Sequence, residues 1–71
     1  IEANDLFTRI VSVEQEKGHL PQAADCREIA LKIQVEINGL ATLAALDRQQ
    51  WTPVRQRDFL RNSLMAMGFT L

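Results

Sequence analysis

Residues 31–40 read LKIQVEINGL, and the reading of this stretch decides the fold. Leu31, Ile33, Val35 and Ile37 alternate with Lys32, Gln34 and Glu36, and Asn38-Gly39 follows. Taken alone, this is a β-hairpin arm and its turn: β-prone apolar residues at period two, closed by the strongest two-residue hairpin signal. The far side of the turn opposes that reading. The return arm would be LATLAAL, which does not alternate and is rich in Ala and Leu, good helix formers and poor strand material.

The competing reading is one helix running straight through Asn38-Gly39. It makes a testable demand, because the apolar stripe must keep its phase on both sides of the pair. With Ile29 set at zero and a turn of about 100° per residue, Cys26, Ala30, Ile33 and Ile37 fall between about 0° and about 100°. Beyond the pair, Leu40 lands near ~20°, Ala44 near ~60° and Leu43 near ~−40°, so the face is preserved. Continuity costs ~1–1.5 kcal/mol in propensity at the two residues. Burial of Ile37 and Leu40 offsets this at roughly 1.5–3 kcal/mol per large side chain. The continuous helix is therefore our reading. A tight turn at Asn38-Gly39, giving four short helices, and a β-hairpin around the pair are the alternatives.

Working outward, Ala3, Leu6, Phe7, Ile10, Val11 and Val13 share one arc of a first helix, with Asn4 or Asp5 as its cap. Gly18 sits where a left-handed residue closes a helix, with Leu20 behind it to pack back and Pro21 to forbid continuation. Pro21 also suits the first turn of the middle helix. On the other side, Thr52 is an N-cap and Pro53 a first helical residue. Leu60, Leu64 and Met67 form a stripe, and Gly68 closes the helix with Phe69 packing back. The expectation is an all-α single domain over 1–71, with helices over about 5–17, 21–48 and 53–67.

A continuous middle helix carries a second apolar stripe. Ala24, Leu31, Val35 and Leu46 cluster between about 200° and about 260°, opposite the first. A helix over 22–48 is ~40 Å long, whereas a compact globule of this length has a radius of gyration near ~11 Å. Two short helices cannot sheathe both stripes along the whole spine. A second copy of the chain, or another protein, is the simplest cover, so Ala24, Leu31, Val35 and Leu46 are the expected protein interface and a dimer the expected state. The alternative of four helices would cover both stripes within one chain.

Composition narrows the function. Seventy-one residues bury a small core, and the lone Cys26 excludes an internal disulfide. His19 and Cys26 are too few soft or imidazole ligands for a structural zinc, so no metal or cofactor is expected. A single thiol fits a reducing compartment, and the absence of a signal pattern or a membrane-length apolar run leads us to expect a cytoplasmic protein without a membrane partner. The chain opens on Ile1 rather than Met, which suggests a domain excised from a longer polypeptide. Residues 1–36 carry seven acids and four bases, and residues 37–71 carry two acids and four arginines, so a net charge of −3 faces one of +2. This asymmetry suits head-to-tail association or an anionic partner for the second half.

That second half supplies the alternative function. Arg48, Thr52, Arg55, Gln56, Arg57 and Arg61 lie in or before the first turns of the third helix, where free N–H groups and guanidinium groups can grip phosphate or read a groove edge. The string TPVRQRDFL, preceded by LATLAAL, resembles the recognition helix of winged-helix bacterial repressors. The likeness covers under a third of the chain, lacks the turn glycine and has too long a connection, so no family function follows from it. The plainer reading is a solvated arginine face partly neutralised by Asp58, which lies three residues from both Arg55 and Arg61. Trp51 is either a staple on Gln56 or Val54 or an interface anchor. His19 is expected to bond a helix-terminal carbonyl, and Cys26 to be a buried, inert thiol. Ser12 and Ser63 lack a histidine partner, Glu14 and Glu16 do not face each other, and no glycine-rich phosphate loop is present. Neither catalysis nor a small-molecule substrate is expected. A non-catalytic interaction, oligomerisation or regulatory adaptor module is, with a small DNA- or RNA-binding regulator as the alternative.

Overall fold

The computed structural model describes residues 3–71 and contains three helices: α1 (Ala3–Glu16), α2 (Cys26–Leu46) and α3 (Pro53–Ala66). No strand occurs among the described residues. α2 passes unbroken through Asn38 and Gly39, so the stretch that mimics a hairpin arm is the two-sided middle of a helix.

Two helix ends are built alike. Gly18 has φ 84°, its N–H donates to Gln15 O at 3.0 Å, and the His19 N–H donates to Glu14 O at 3.0 Å. Gly68 has φ 109°, its N–H donates to Met65 O at 3.1 Å, and the Phe69 N–H donates to Leu64 O at 3.1 Å. Both are paired closures in which a left-handed glycine satisfies the last free carbonyls. At the start of α3, Thr52 Oγ1 accepts from the Arg55 N–H at 3.2 Å and Pro53 takes the first helical position.

The middle helix is shorter than its sequence suggests. It begins at Cys26 rather than at Pro21, because Asp25 is the cap and its carboxylate accepts from the N–H groups of Arg27 (3.1 Å) and Glu28 (3.2 Å). The residues before it are fixed as a turn by Gln15 of α1. Gln15 Nε2 donates to the carbonyls of Pro21 (2.9 Å), Gln22 (3.2 Å) and Ala24 (3.1 Å), and Gln22 Nε2 returns a bond to Gln15 O at 3.0 Å. At the other end α2 stops at Leu46. Asp47 closes it by donating its N–H to Leu43 O at 2.9 Å and accepting the Gln50 N–H at 3.1 Å. Asn4 and Asp5 lie inside α1 rather than capping it; Asn4 Oδ1 accepts from Gln34 Nε2 at 2.8 Å and Asp5 pairs with Arg27 at 3.2 Å.

α1 runs antiparallel to the first part of α2: Gln15 meets Cys26 at one end and Asn4 meets Gln34 at the other. Between them Val11, Leu20, Ile29 and Ala30 form the buried centre, with Phe7, Ala24, Cys26, Ile33, Met67 and Phe69 packed around it. α3 touches α2 more sparsely. Its C-terminal end is tied back, since the Thr70 N–H donates to His19 O at 2.8 Å and Gly68 lies against Pro21.

The result is an open, flattened molecule. Its radius of gyration is 13.1 Å and its extents are 39 × 27 × 14 Å, against the ~11 Å of a compact chain of this length. Of the arc of α1 expected to be buried, only Val11 is; Leu6, Ile10 and Val13 are exposed. By length and composition α2 is also apolar enough to cross a membrane, contrary to the expectation that no apolar run approaches that length. Its interior nevertheless holds Lys32 and Glu36. At a bilayer centre each such charge costs at least ~2.5–3.5 kcal/mol.

Candidate functional site

The second stripe of α2 is open to solvent. Leu31 is 49% exposed, Val35 63% and Leu46 80%, in a chain whose buried apolar residues are few. Large side chains left this open mark surfaces that another molecule covers when they are contiguous. Leu31 and Val35 line a groove of about 320 Å³ together with Met67, which follows α3, and with Glu28, Lys32 and Glu36. Leu46 stands alone at the far end of the same helix side. Ala24 does not belong to this surface. It lies in the turn before Asp25, packs on the core and holds Gln15 through its carbonyl.

The middle of the stripe is smaller and more polar. The Thr42 hydroxyl donates to Asn38 O at 3.0 Å, which quiets its hydrogen-bonding demand. Gly39 lies beside them, and a Cβ placed on it would meet nothing within 4 Å. Nothing inside the chain requires a glycine there. Glu36 carries a further feature that the sequence does not reveal: its Oε2 is buried and has no hydrogen-bond partner. A buried carboxylate oxygen without a donor is costly unless something supplies one.

The arginine-bearing segment is organised around Trp51. The Trp51 and Phe59 rings meet edge to face, with centroids 5.7 Å apart at 78°, and the Arg55 guanidinium lies 4.9 Å over the Trp51 ring. Gln56 Nε2 donates to Trp51 O at 2.9 Å. Asp58 contacts Arg57 at 3.7 Å rather than Arg55 or Arg61. Arg48, Arg55 and Arg61 have no carboxylate within ion-pair distance among the described residues. Arg57 and Arg61 share one side of α3, whereas Arg55 points about 160° away from Arg57. Thr52 is engaged as the cap. The six candidate residues therefore gather at one end of the molecule without forming one surface.

The remaining polar side chains serve the fold. The His19 ring donates from Nδ1 to Glu14 Oε2 at 2.6 Å, and this hydrogen bond holds the Glu14 carboxyl below its ordinary value of 4.5. The Ser12 hydroxyl donates to Thr8 O at 2.9 Å. Cys26 is half-buried, and its Sγ donates to Gln15 Oε1 at 3.3 Å. Among the described residues no three His, Cys, Asp or Glu side chains gather to hold a metal ion. Comparison with known protein families, with curated proteins and with solved structures finds no match to this chain.

Proposed function

We propose that this chain is a non-catalytic protein-assembly module that associates through the outer side of α2. The observation that carries the reading is the groove of Leu31, Val35 and Met67 with Leu46 standing free beyond it, in a molecule only 14 Å thick along its short axis. A flat layer of helices leaves an amphipathic helix covered on one side only, and a helix apolar on two sides needs a second cover. Self-association is the form of assembly that needs no further component. A regulatory or adaptor role fits such a module, and the lone thiol Cys26 suits a reducing, cytoplasmic setting.

The test is sedimentation across a wide concentration range. The wild type is expected to move from monomer to dimer. Val35→Glu and Leu46→Glu are expected to remain monomeric with unchanged helix content, because neither side chain is part of the core. A wild type that stays monomeric at every concentration overturns the proposal, as does flotation of that monomer with lipid vesicles through the same residues.

A second reading, nucleic-acid binding, is favoured by Arg48, Arg55 and Arg61 lacking carboxylate partners among the described residues. Their divergence around α3 and the engagement of Arg55 with Trp51 weigh against it. It predicts salt-sensitive binding to DNA or RNA that is lost on Arg55→Glu with Arg57→Glu. Unchanged electrophoretic mobility of both nucleic acids at low salt overturns it.

A further inference from the structure

The outer side of α2 is asymmetric along its length. Its N-terminal part is a groove, formed by Leu31, Val35 and Met67, and its C-terminal end is a knob, the 80%-exposed Leu46. Charge follows the same division. The groove lining includes Glu28 and Glu36 beside a single Lys32, whereas Asp47 and Arg48 follow the knob as one acid and one base, so the groove end is the more acidic. The halves of the chain differ in the same sense, with residues 1–36 at −3 and residues 37–71 at +2.

We infer that the occupant of this surface is a second copy of the chain in antiparallel orientation, with Leu46 of each copy seated in the Leu31, Val35 and Met67 groove of the other. The inference rests on the assembly reading above and specifies its partner and geometry. A parallel pair would set groove against groove and like charge against like charge. An antiparallel pair brings knob to groove twice and acidic half to basic half, and it sets opposed helix dipoles side by side. It also brings the segment that carries Arg48 in one copy to the level of Glu28 in the other.

The same geometry accounts for Gly39. The groove centres near residue 33 and the knob is residue 46, so a two-fold axis relating them passes close to residues 39 and 40. The backbones approach most closely there. A glycine with no Cβ contact inside its own chain permits that approach.

Disulfide trapping tests the orientation. In a Cys26→Ser background, Leu31→Cys and Leu46→Cys are prepared as separate proteins, mixed and oxidised, with the mass of each preparation followed by sedimentation. The antiparallel arrangement predicts a mixed disulfide between the two variants and little self-linkage. Two copies of residue 31 would lie about 20 Å or more apart across the axis, far beyond the ~7 Å Cα separation that a disulfide bridges. Gly39→Leu is expected to raise the dissociation constant at least about tenfold while leaving the monomer helical. Self-linked Leu31→Cys and Leu46→Cys dimers overturn the orientation and leave the assembly reading standing. A wild-type dimer whose variants do not cross-link at all overturns it as well, by moving the contact elsewhere. A wild type that never dimerises overturns both.

Discussion

At the scale of single residues, short polar side chains decide where the backbone turns. Gln15 bonds three carbonyls of the α1–α2 connection, and Asp25 then claims the first free N–H groups of α2. The role of Gln15 cannot be inferred from residue type, because a glutamine within a helix is ordinarily a solvated surface residue, whereas Asp25 is of a type that commonly caps. Glu14 and His19 form a second local device across the glycine that ends α1. The carboxyl of Glu14 is held below 4.5, chiefly by the histidine, so the folded state binds its proton less readily than the unfolded chain. The stability this contributes is complete above that value and is lost as pH falls through the lower folded-state value. Because both groups are exposed, the effect is small and salt-sensitive. Thermal melts of His19→Ala and wild type are expected to differ above the ordinary Glu14 value and to converge as pH falls through its lowered folded-state value. A constant offset across that range shows that the histidine acts only through packing.

At the scale of elements, the sequence reading locates all three helices, and it does so through pattern and caps. The phase of the apolar stripe across Asn38-Gly39 outweighs the period-two alternation because a helix with two apolar sides also alternates locally. Gly18, Gly68, Thr52 and Pro53 are legible because each has one dominant structural use. The start of α2 is misread because Pro21 is an equally good helix starter and turn residue, and the choice between them is made from outside, by Gln15. The buried side of α1 is overestimated for a related reason: a stripe shows which residues lie together, not whether a neighbour is wide enough to cover them all. Gly68 and Gly39 then make opposite predictions. Gly68 has φ 109°, and an added Cβ would come within 3.3 Å of Pro21 Cδ. Gly68→Ala is therefore expected to lower stability by about 1–3 kcal/mol in chemical denaturation. Gly39 lies in regular helix with open space around it, so Gly39→Ala is expected to raise monomer stability by about 1 kcal/mol. Loss of stability at Gly39 shows that the position is constrained within the chain, and the inferred reason for its glycine then fails.

At the scale of the whole molecule, shape and charge make one argument. A chain with a radius of gyration of 13.1 Å has exchanged compactness for surface, and that surface exposes large apolar side chains at both ends of one side of its longest helix. The exposed apolar positions Leu31, Val35 and Leu46 are legible as one side of α2, since helical phase places them together. The contribution of Met67 is not, because it depends on how α3 returns to α2. In the antiparallel pair proposed above, the division of charge between the two halves orients this surface. If Glu28 and Arg48 face each other across an antiparallel pair, each dimer contains the contact twice. Exposed ion pairs contribute ~0.2–1 kcal/mol apiece, so Glu28→Arg or Arg48→Glu alone is expected to weaken dimerisation several-fold, and more at low salt than at high salt. Combining the two restores the attraction with its sign reversed, and the double variant is expected to recover most of the wild-type dissociation constant. Glu28 also sits in the first turn of α2, where a negative charge favours the helix. Monomer stability of each variant is therefore measured alongside, so that a loss of helix is not counted as a loss of contact. A double variant that dimerises no better than the weaker single one places Glu28 and Arg48 away from each other, and the charge argument for the antiparallel orientation then fails.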